Sequence, residues 1–491
     1  MKGTGRRLAG TVGAEQDPSF QDFLAQRTGH WDEVARRPRS RRRWGSYYHH
    51  RLAKVLRRYV RPGLRILEIG CAEGGLLAAL EPGFGIGIDI SAEMIRGARG
   101  RHAGLHFAQA DGHSLPFETT FDLILLSDLL NDVWDVQQIL REVGRLCGPR
   151  TRIWITSYNR LWEPALSMVG RLGLANPNLY QNWLTVDDLR NLLDLTDFEE
   201  IRHWEEILWP LGTPLLEPVL NRFLVNLWPF RHLALTHLIV ARPSPWAKPP
   251  PPDPSVSIVV PARNEAGTIA DLLRRLPRMS ADQEVVFVEG HSRDDTYRVL
   301  EQEIAAQSRW PCLLLRQRGE GKGDAVREGF AAARGDILII LDADLTVLPE
   351  DLPRFYEALL RGKGEMGNGV RLVYPMEGQA MRFFNLVGNK AFSLCLSWLL
   401  GQSIKDTLCG TKALWKADYQ VIAEQRSYFG KTDPFGDFDL LLGAARLHLK
   451  IVDVPIRYRG RSYGTTNISR WKHGAALLAM IDRAARKLRF L

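Results

Sequence analysis

Short aliphatic runs, each closed by an acid or a small residue, recur along the chain and alternate with stretches of helical spacing. In the first half, LRILEIG (Leu64–Gly70), GIGIDI (Gly85–Ile90) and FDLILLS (Phe121–Ser127) read as buried strands. The helical GLLAAL (Gly75–Leu80) between the first two makes a βαβ unit with a tight crossover. Farther on, Arg141–Thr156 reads as helix, turn and strand, and Thr185 caps a helix leading to a late strand near Phe198. The second half repeats the design, with strands at VSIVVP (Val256–Pro261), EVVFVE (Glu284–Glu289) and ILIIL (Ile337–Leu341) separated by helical stretches. This alternation predicts an α/β protein with two doubly wound domains.

A proline run separates the two halves. Pro249–Pro252 fix their own dihedrals and withhold backbone donors, which predicts a stiff, extended spacer. The chain then divides into a basic arm (1–48), a first domain (49–242), a linker (243–255), a second domain (256–470) and a basic amphipathic helix (471–491). A length of 491 residues suits two to three domains. Tyr158–Arg242, rich in tryptophan and leucine, reads as core packing.

Composition sharpens this in three ways. The five cysteines are scattered and form no CxxC, which argues against a disulfide framework or a zinc-binding cysteine set and fits a reducing cytosol. The opening residues lack the apolar core of a signal peptide, and the longest apolar run, Ala391–Gly401, is about half a membrane span. The formal net charge of +9 is uneven, with no acid between Glu33 and Glu68. These basic stretches suit peripheral contact with an anionic membrane from the cytoplasmic side, and nothing resembles a nucleic-acid module.

The turn after Leu64–Ile69 carries the first chemistry. Gly70, Ala72 and Gly74 let the backbone turn sharply beside a ligand, and Asp89 at the next strand end can accept both hydroxyls of a ribose. Glu68-x-Gly70-x-Ala72-x-Gly74 resembles motif I of class I S-adenosylmethionine-dependent methyltransferases, with Ala72 where that family has a glycine. The resemblance runs over about residues 50–160. It implies that Ile90 joins Asp89 in the cofactor site, that Asp111 of AQADGHSLPF meets adenine, that Asp122 opens the fourth strand, and that Ser127 and Asp128 lie near the methyl group. The cofactor implied is S-adenosyl-L-methionine. A binding or docking module that no longer methylates is the alternative.

The second half ends its aliphatic run Ile337–Leu341 in Asp342-Ala343-Asp344. Two carboxylates one residue apart at a strand end can share Mg²⁺ or Mn²⁺ with a diphosphate leaving group. Val256–Arg470 resembles glycosyltransferase family 2 with the GT-A fold, nearest to the dolichyl- and polyprenyl-phosphate glycosyltransferases. By that resemblance Pro261, Ala262, Asn264 and Glu265 line the nucleotide pocket, Glu289 and Asp294 serve the ribose and base, and Lys322-Gly323 form the turn beneath the nucleotide. Asp342 and Asp344 become the metal-binding pair, and Arg371 lies near phosphate. The stretch Asn385–Leu414 resembles an amphipathic helix pair and a motif marking Asn389, Asp406, Gly410 and Lys412; Asp437 and Asp439 match an acidic block. Arg461 matches a phosphate clamp, while Asn467 replaces a frequent lysine.

The resemblance implies an inverting transfer from a GDP- or UDP-sugar to a polyprenyl phosphate or a cell-envelope glycan. A lipid phosphate is already anionic and needs no base. A sugar hydroxyl needs a carboxylate to take its proton, and Asp406 or Asp439 is the candidate.

Overall fold

The aliphatic runs form two seven-stranded sheets, one in each of the units Met1–Pro243 and Ser244–Leu491. The computed structural model describes residues 18–37, 43–171, 179, 181–244, 253–371, 383–428, 437–456, 458–461, 463 and 470–490. The spacer Pro249–Pro252 and Asn467 lie outside the described residues, as do the side chains of Asn389 and Asp437.

The first sheet contains β1 (Arg65–Ile69), β2 (Phe84–Asp89), β3 (His106–Gln109), β4 (Phe121–Ser127), β5 (Cys147–Tyr158), β6 (Phe198–Glu206) and β7 (Thr236–Pro243). Their order is β3-β2-β1-β4-β5-β7-β6, and only β7 runs antiparallel to its neighbours. Parallel strands are covered on both faces, so their sequences are continuous aliphatic runs and Ile66, Leu67 and Ile124 are fully buried. The chain leaves β1 first toward β2 and later returns to its other side as β4. That reversal opens a crevice at the strands' carboxyl ends.

The second sheet contains β8 (Val256–Ala262), β9 (Gln283–Glu289), β10 (Cys312–Arg316), β11 (Ile337–Ile340), β12 (Met366–Val370), β13 (Lys412–Trp415) and β14 (Ile451–Pro455). The order is β10-β9-β8-β11-β13-β12-β14, with β13 antiparallel between β11 and β12. Here the reversal falls between β9 and β11, on either side of β8. The helix Lys322–Ala332 lies close on this sheet because Gly329 has no side chain: a Cβ there would come within 2.3 Å of Val259. Ile258, Val260, Phe287 and Ile339 anchor the core beneath.

Three features differ from the sequence reading. The expected basic arm contains a helix, Pro18–Arg36, that packs on the first unit, burying Phe20 and Val34. Phe20 meets His113 edge-on at 5.2 Å, and the Asp32 carboxylate accepts the Ser91 hydroxyl at 2.6 Å, so the helix reaches the loops after β2 and β3. Within the Trp-rich stretch only part is core. Trp204 is buried beneath the Arg202 guanidinium, whereas between β6 and β7 Leu215 is 87% exposed and Trp228 76%. The connection there is a series of short irregular turns that bury Val225 but leave these larger side chains outside. Finally, the expected amphipathic pair begins with one 18-residue helix, Phe383–Leu400; among the described residues no helix is long and apolar enough to cross a membrane. None of the five cysteines forms a disulfide.

Candidate functional sites at the two carboxyl edges

At the carboxyl edge of the first sheet, Gly70 and Gly74 adopt positive φ, and so does Ala72 at 46°. That backbone region costs an alanine about 1–2 kcal/mol relative to its ordinary conformation. The turn holds because Asp89 grips it: one carboxylate oxygen accepts from the Ala72 N–H and the other from the Ser91 N–H, each at 2.9 Å. Burial raises the Asp89 pKa. Each oxygen retains a further lone pair for a ligand hydroxyl. Glu68 faces inward and accepts the Leu77 N–H at 3.1 Å, bracing the helix Gly75–Ala79; burial pushes its pKa up to about 8.

Three more sequence-marked positions line the edge. Ile90 follows β2, and its carbonyl accepts from the Gln109 side chain. Asp111 takes both the backbone and ring N–H of His113. Burial works to raise its pKa, but those two bonds outweigh it and hold the carboxyl low. Ser127 closes β4 opposite Thr156, whereas Asp122 sits at the other end of the strand, accepting the Arg65 N–H. Beyond Ser127, Asp128 is half-buried with its pKa raised by desolvation, and its carboxylate accepts from Tyr48 at 3.0 Å and Thr156 at 2.7 Å. Tyr48 comes from the helix Arg43–Tyr59, far outside the motif, and no local pattern marks it.

The second edge gathers charge. Pro261 and Ala262 end β8, and the loop that follows is laced to the loop after β9. Asn264, at φ 58°, accepts the Arg293 N–H and donates its own to Ser292; Glu289 accepts the Ser292 N–H at 2.6 Å. Asp294 accepts the Thr296 N–H, and Tyr463 reaches it at 3.4 Å. Beside them an open cavity of about 560 Å³ is lined by Gly267, Arg293, Asp294, Arg298 and Tyr463. Lys322, the first residue of its helix ahead of buried Gly323, lies 2.6 Å from Asp342. The absence of a side chain at Gly410 permits this pair, since a Cβ there would come within 2.1 Å of the Lys322 Nζ. Asp344 accepts from Thr346 and sits 3.4 Å from the Arg461 guanidinium, which also pairs with Glu265.

Glu265 is the most perturbed group of the set. Burial lifts its pKa to about 7, Arg461 opposes that, and the nearby Asp344, Asp342 and Asp294 add to it. Its Oε2 is buried with no hydrogen-bond partner. Burial and the Asp342 charge raise Asp344 as well. Converging carboxylates with an unsatisfied inner oxygen are a donor set suited to a hard divalent cation.

Here two of the sequence-marked residues, Arg371 and Asp406, pair with each other. The Arg371 Nε and Nη2 grip the two Asp406 oxygens at 2.7 and 2.9 Å, the Arg371 N–H adds a third bond, and Asp406 is fully buried. Lys412 is likewise buried, donating to the Cys409 carbonyl. Asp439 lies against Arg426 at 2.6 Å. With Asp406 held in this fork, Asp406→Asn leaves a buried guanidinium without its counter-charge. We expect it to destabilise the second unit by about 3–5 kcal/mol in urea unfolding. A variant as stable as the parent, impaired only in turnover, would return Asp406 to the role of base.

Comparison with known proteins bears on both edges. Residues 61–195 match the family model described as a methyltransferase domain, and residues 257–394 match glycosyl transferase family 2. An undecaprenyl-phosphate 4-deoxy-4-formamido-L-arabinose transferase of Klebsiella pneumoniae (strain 342) is 26% identical over 225 residues, covering 45% of this chain and 64% of that protein. The namesake of Pseudomonas savastanoi pv. phaseolicola is 36% identical over 123 residues, covering 24% and 36%. The chain thus spans less than two thirds of the length of these relatives. Among solved structures, glucosyl-3-phosphoglycerate synthase of Mycobacterium tuberculosis aligns at 20% identity and TM-score 0.36, covering 48% of this chain and 80% of that one. A Haloferax volcanii complex containing the Trm112 methyltransferase activator aligns at 17% identity and TM-score 0.35, covering 44% and 97%. Two successive segments of the chain thus match a methyltransferase domain and glycosyl transferase family 2.

Proposed function

We propose that the second unit transfers a sugar, with inversion, from a GDP- or UDP-sugar to a polyprenyl phosphate, and that the first unit uses S-adenosyl-L-methionine to methylate an acceptor. The observation that carries the reading is the cluster of Asp342, Asp344 and Glu265 counterbalanced by Lys322 and Arg461 at one sheet edge. Asp342 and Asp344 would hold Mg²⁺ or Mn²⁺, which supplies positive charge to the departing diphosphate. Lys322 and Arg461 add to that stabilisation once the donor draws them from their carboxylates. The loops bearing Asn264, Glu289 and Asp294 would orient base and ribose. The acceptor oxygen attacks the anomeric carbon on the face opposite the diphosphate as the carbon–oxygen bond to that group breaks. Both acids considered as bases, Asp406 and Asp439, are engaged by arginines, which favours an acceptor that is already anionic. The relatives' names, which specify undecaprenyl phosphate, support the same class, with a cell-envelope glycan as the other acceptor.

In the first unit, Asp89 and the Gly70–Gly74 turn would hold the ribose and amino-acid parts of the cofactor, with Ile90 and Asp111 toward adenine and Ser127 near the sulfonium. The lone pairs left on Asp89 fit that use. A cytoplasmic chain working at the membrane face completes the reading. The exposed Leu215 and Trp228, flanked by Arg222 and Arg231, have the apolar-plus-basic character of an interfacial surface.

The test supplies labelled UDP- and GDP-sugars with undecaprenyl phosphate and Mn²⁺. Label should appear in the organic phase, and Asp344→Ala should lower its rate at least ~100-fold; full activity in that variant would remove the metal assignment. For the first unit, calorimetry should show S-adenosylmethionine binding that Asp89→Ala weakens by more than about tenfold. No heat with the parent protein would leave a docking module instead.

A further inference from the structure

Outside both edges, one group of side chains has the composition of a transition-metal site. On β6, His203 and Glu205 are two residues apart and so share a face of the sheet. On β7, His237 is the direct cross-strand partner of Glu205. One ligand atom from each of these three residues lies within 4.8 Å of the others. His232 approaches from the short turn Phe230–Leu233, its Nδ1 4.0 Å from the Glu205 carboxylate, while the His203 Nε2 is 3.7 Å from it.

We propose that His203, Glu205 and His237, with His232 as fourth ligand, bind a Zn²⁺-like ion that fastens the 207–235 connection to the β6–β7 pair. Imidazole and carboxylate donors are the set that suits Zn²⁺. Donors about 2.0–2.2 Å from a tetrahedral ion stand roughly 3.3 Å apart, so the His203–Glu205 pair, now at 3.7 Å, closes by a few tenths of an ångström, whereas His232, at 4.0 Å from Glu205, must swing farther in to complete the set. Independent support comes from His237, whose Nδ1 is buried and has no hydrogen-bond partner. A buried nitrogen without a partner is costly in an ordinary hydrogen-bonded cluster and is satisfied by coordination. Glu200, 3.9 Å from the other nitrogen of His203, can orient that ring from outside; Arg190, now 3.2 Å from the same nitrogen, is held by Glu200 and shifts with it.

The consequence concerns the connection itself. It leaves the sheet at buried Ile207 and returns at Ala234, and between them carries the exposed Leu215 and Trp228. Coordination by His232 would pin this segment to the sheet just before its return. The site does not depend on the transferase reading, and either can fail without the other.

The test uses tag-free full-length protein. Elemental analysis after loading with Zn²⁺ and dialysis should find about one equivalent per chain, retained in Asp344→Ala, and the Co²⁺-loaded protein should show the strong visible absorption of a four-coordinate ion. Glu205→Gln should lose the ion. His232→Ala, which changes a half-exposed side chain and spares the core, should stay folded and bind Zn²⁺ at least tenfold more weakly. No retained zinc in the parent, or the parent's affinity kept in His232→Ala or in Glu205→Gln, would overturn the proposal.

Discussion

Glu265, Asp342 and Asp344 bring three carboxylates together at the end of two neighbouring parallel strands, and their mutual repulsion is the constraint around which the second unit is arranged. Burial raises the pKa of Glu265 and Asp344, and the like charges beside them add to the rise. The protein offsets it with Lys322, delivered by the helix after β10, and Arg461, delivered from beyond β14. Gly410 leaves room for the first of these, and Thr346 supplies hydrogen bonds that fix Asp344. This matching of acids by cations is what the proposed exchange with a metal-bound diphosphate rests on.

The buried Arg371–Asp406 fork ties distant parts of the second unit together. It joins the end of β12 to the segment before β13, and the Asn368 side chain donates to the Asp406 carbonyl in the same place. The first unit uses its carboxylates in a related way. Asp89 pins a turn that contains an alanine at positive φ, and Glu68 braces the helix that follows, so both acids serve the backbone before any ligand arrives.

Much of this was legible in the chain. Strands β1, β2, β4, β8, β9 and β11 are buried on both faces, and each therefore appears as an aliphatic run that ends where its loop begins. The acids at those ends are local in sequence, which is why Asp89, Asp342 and Asp344 stand out. Partnerships across long separations are another matter. Glu265 meets Arg461 across 196 positions, Tyr48 meets Asp128 across 80, and nothing in either neighbourhood announces its partner. Arg371 and Asp406 were each marked for chemistry, and only their packing shows that they neutralise each other. The helix Pro18–Arg36 was hidden because its buried face rests on few residues, Phe20 and Val34 among them, within a mostly polar stretch.

With burial lifting its pKa to about 7, Glu265 should lose a proton when a cation enters the cluster. Calorimetric titration of the protein with Mn²⁺ and a nucleoside diphosphate at pH 7, repeated in buffers of different ionisation enthalpy, counts the protons released. Release of a substantial fraction of one proton per site, abolished in Glu265→Gln, is the predicted result. Binding with no proton release, or release unchanged in Glu265→Gln, would contradict it.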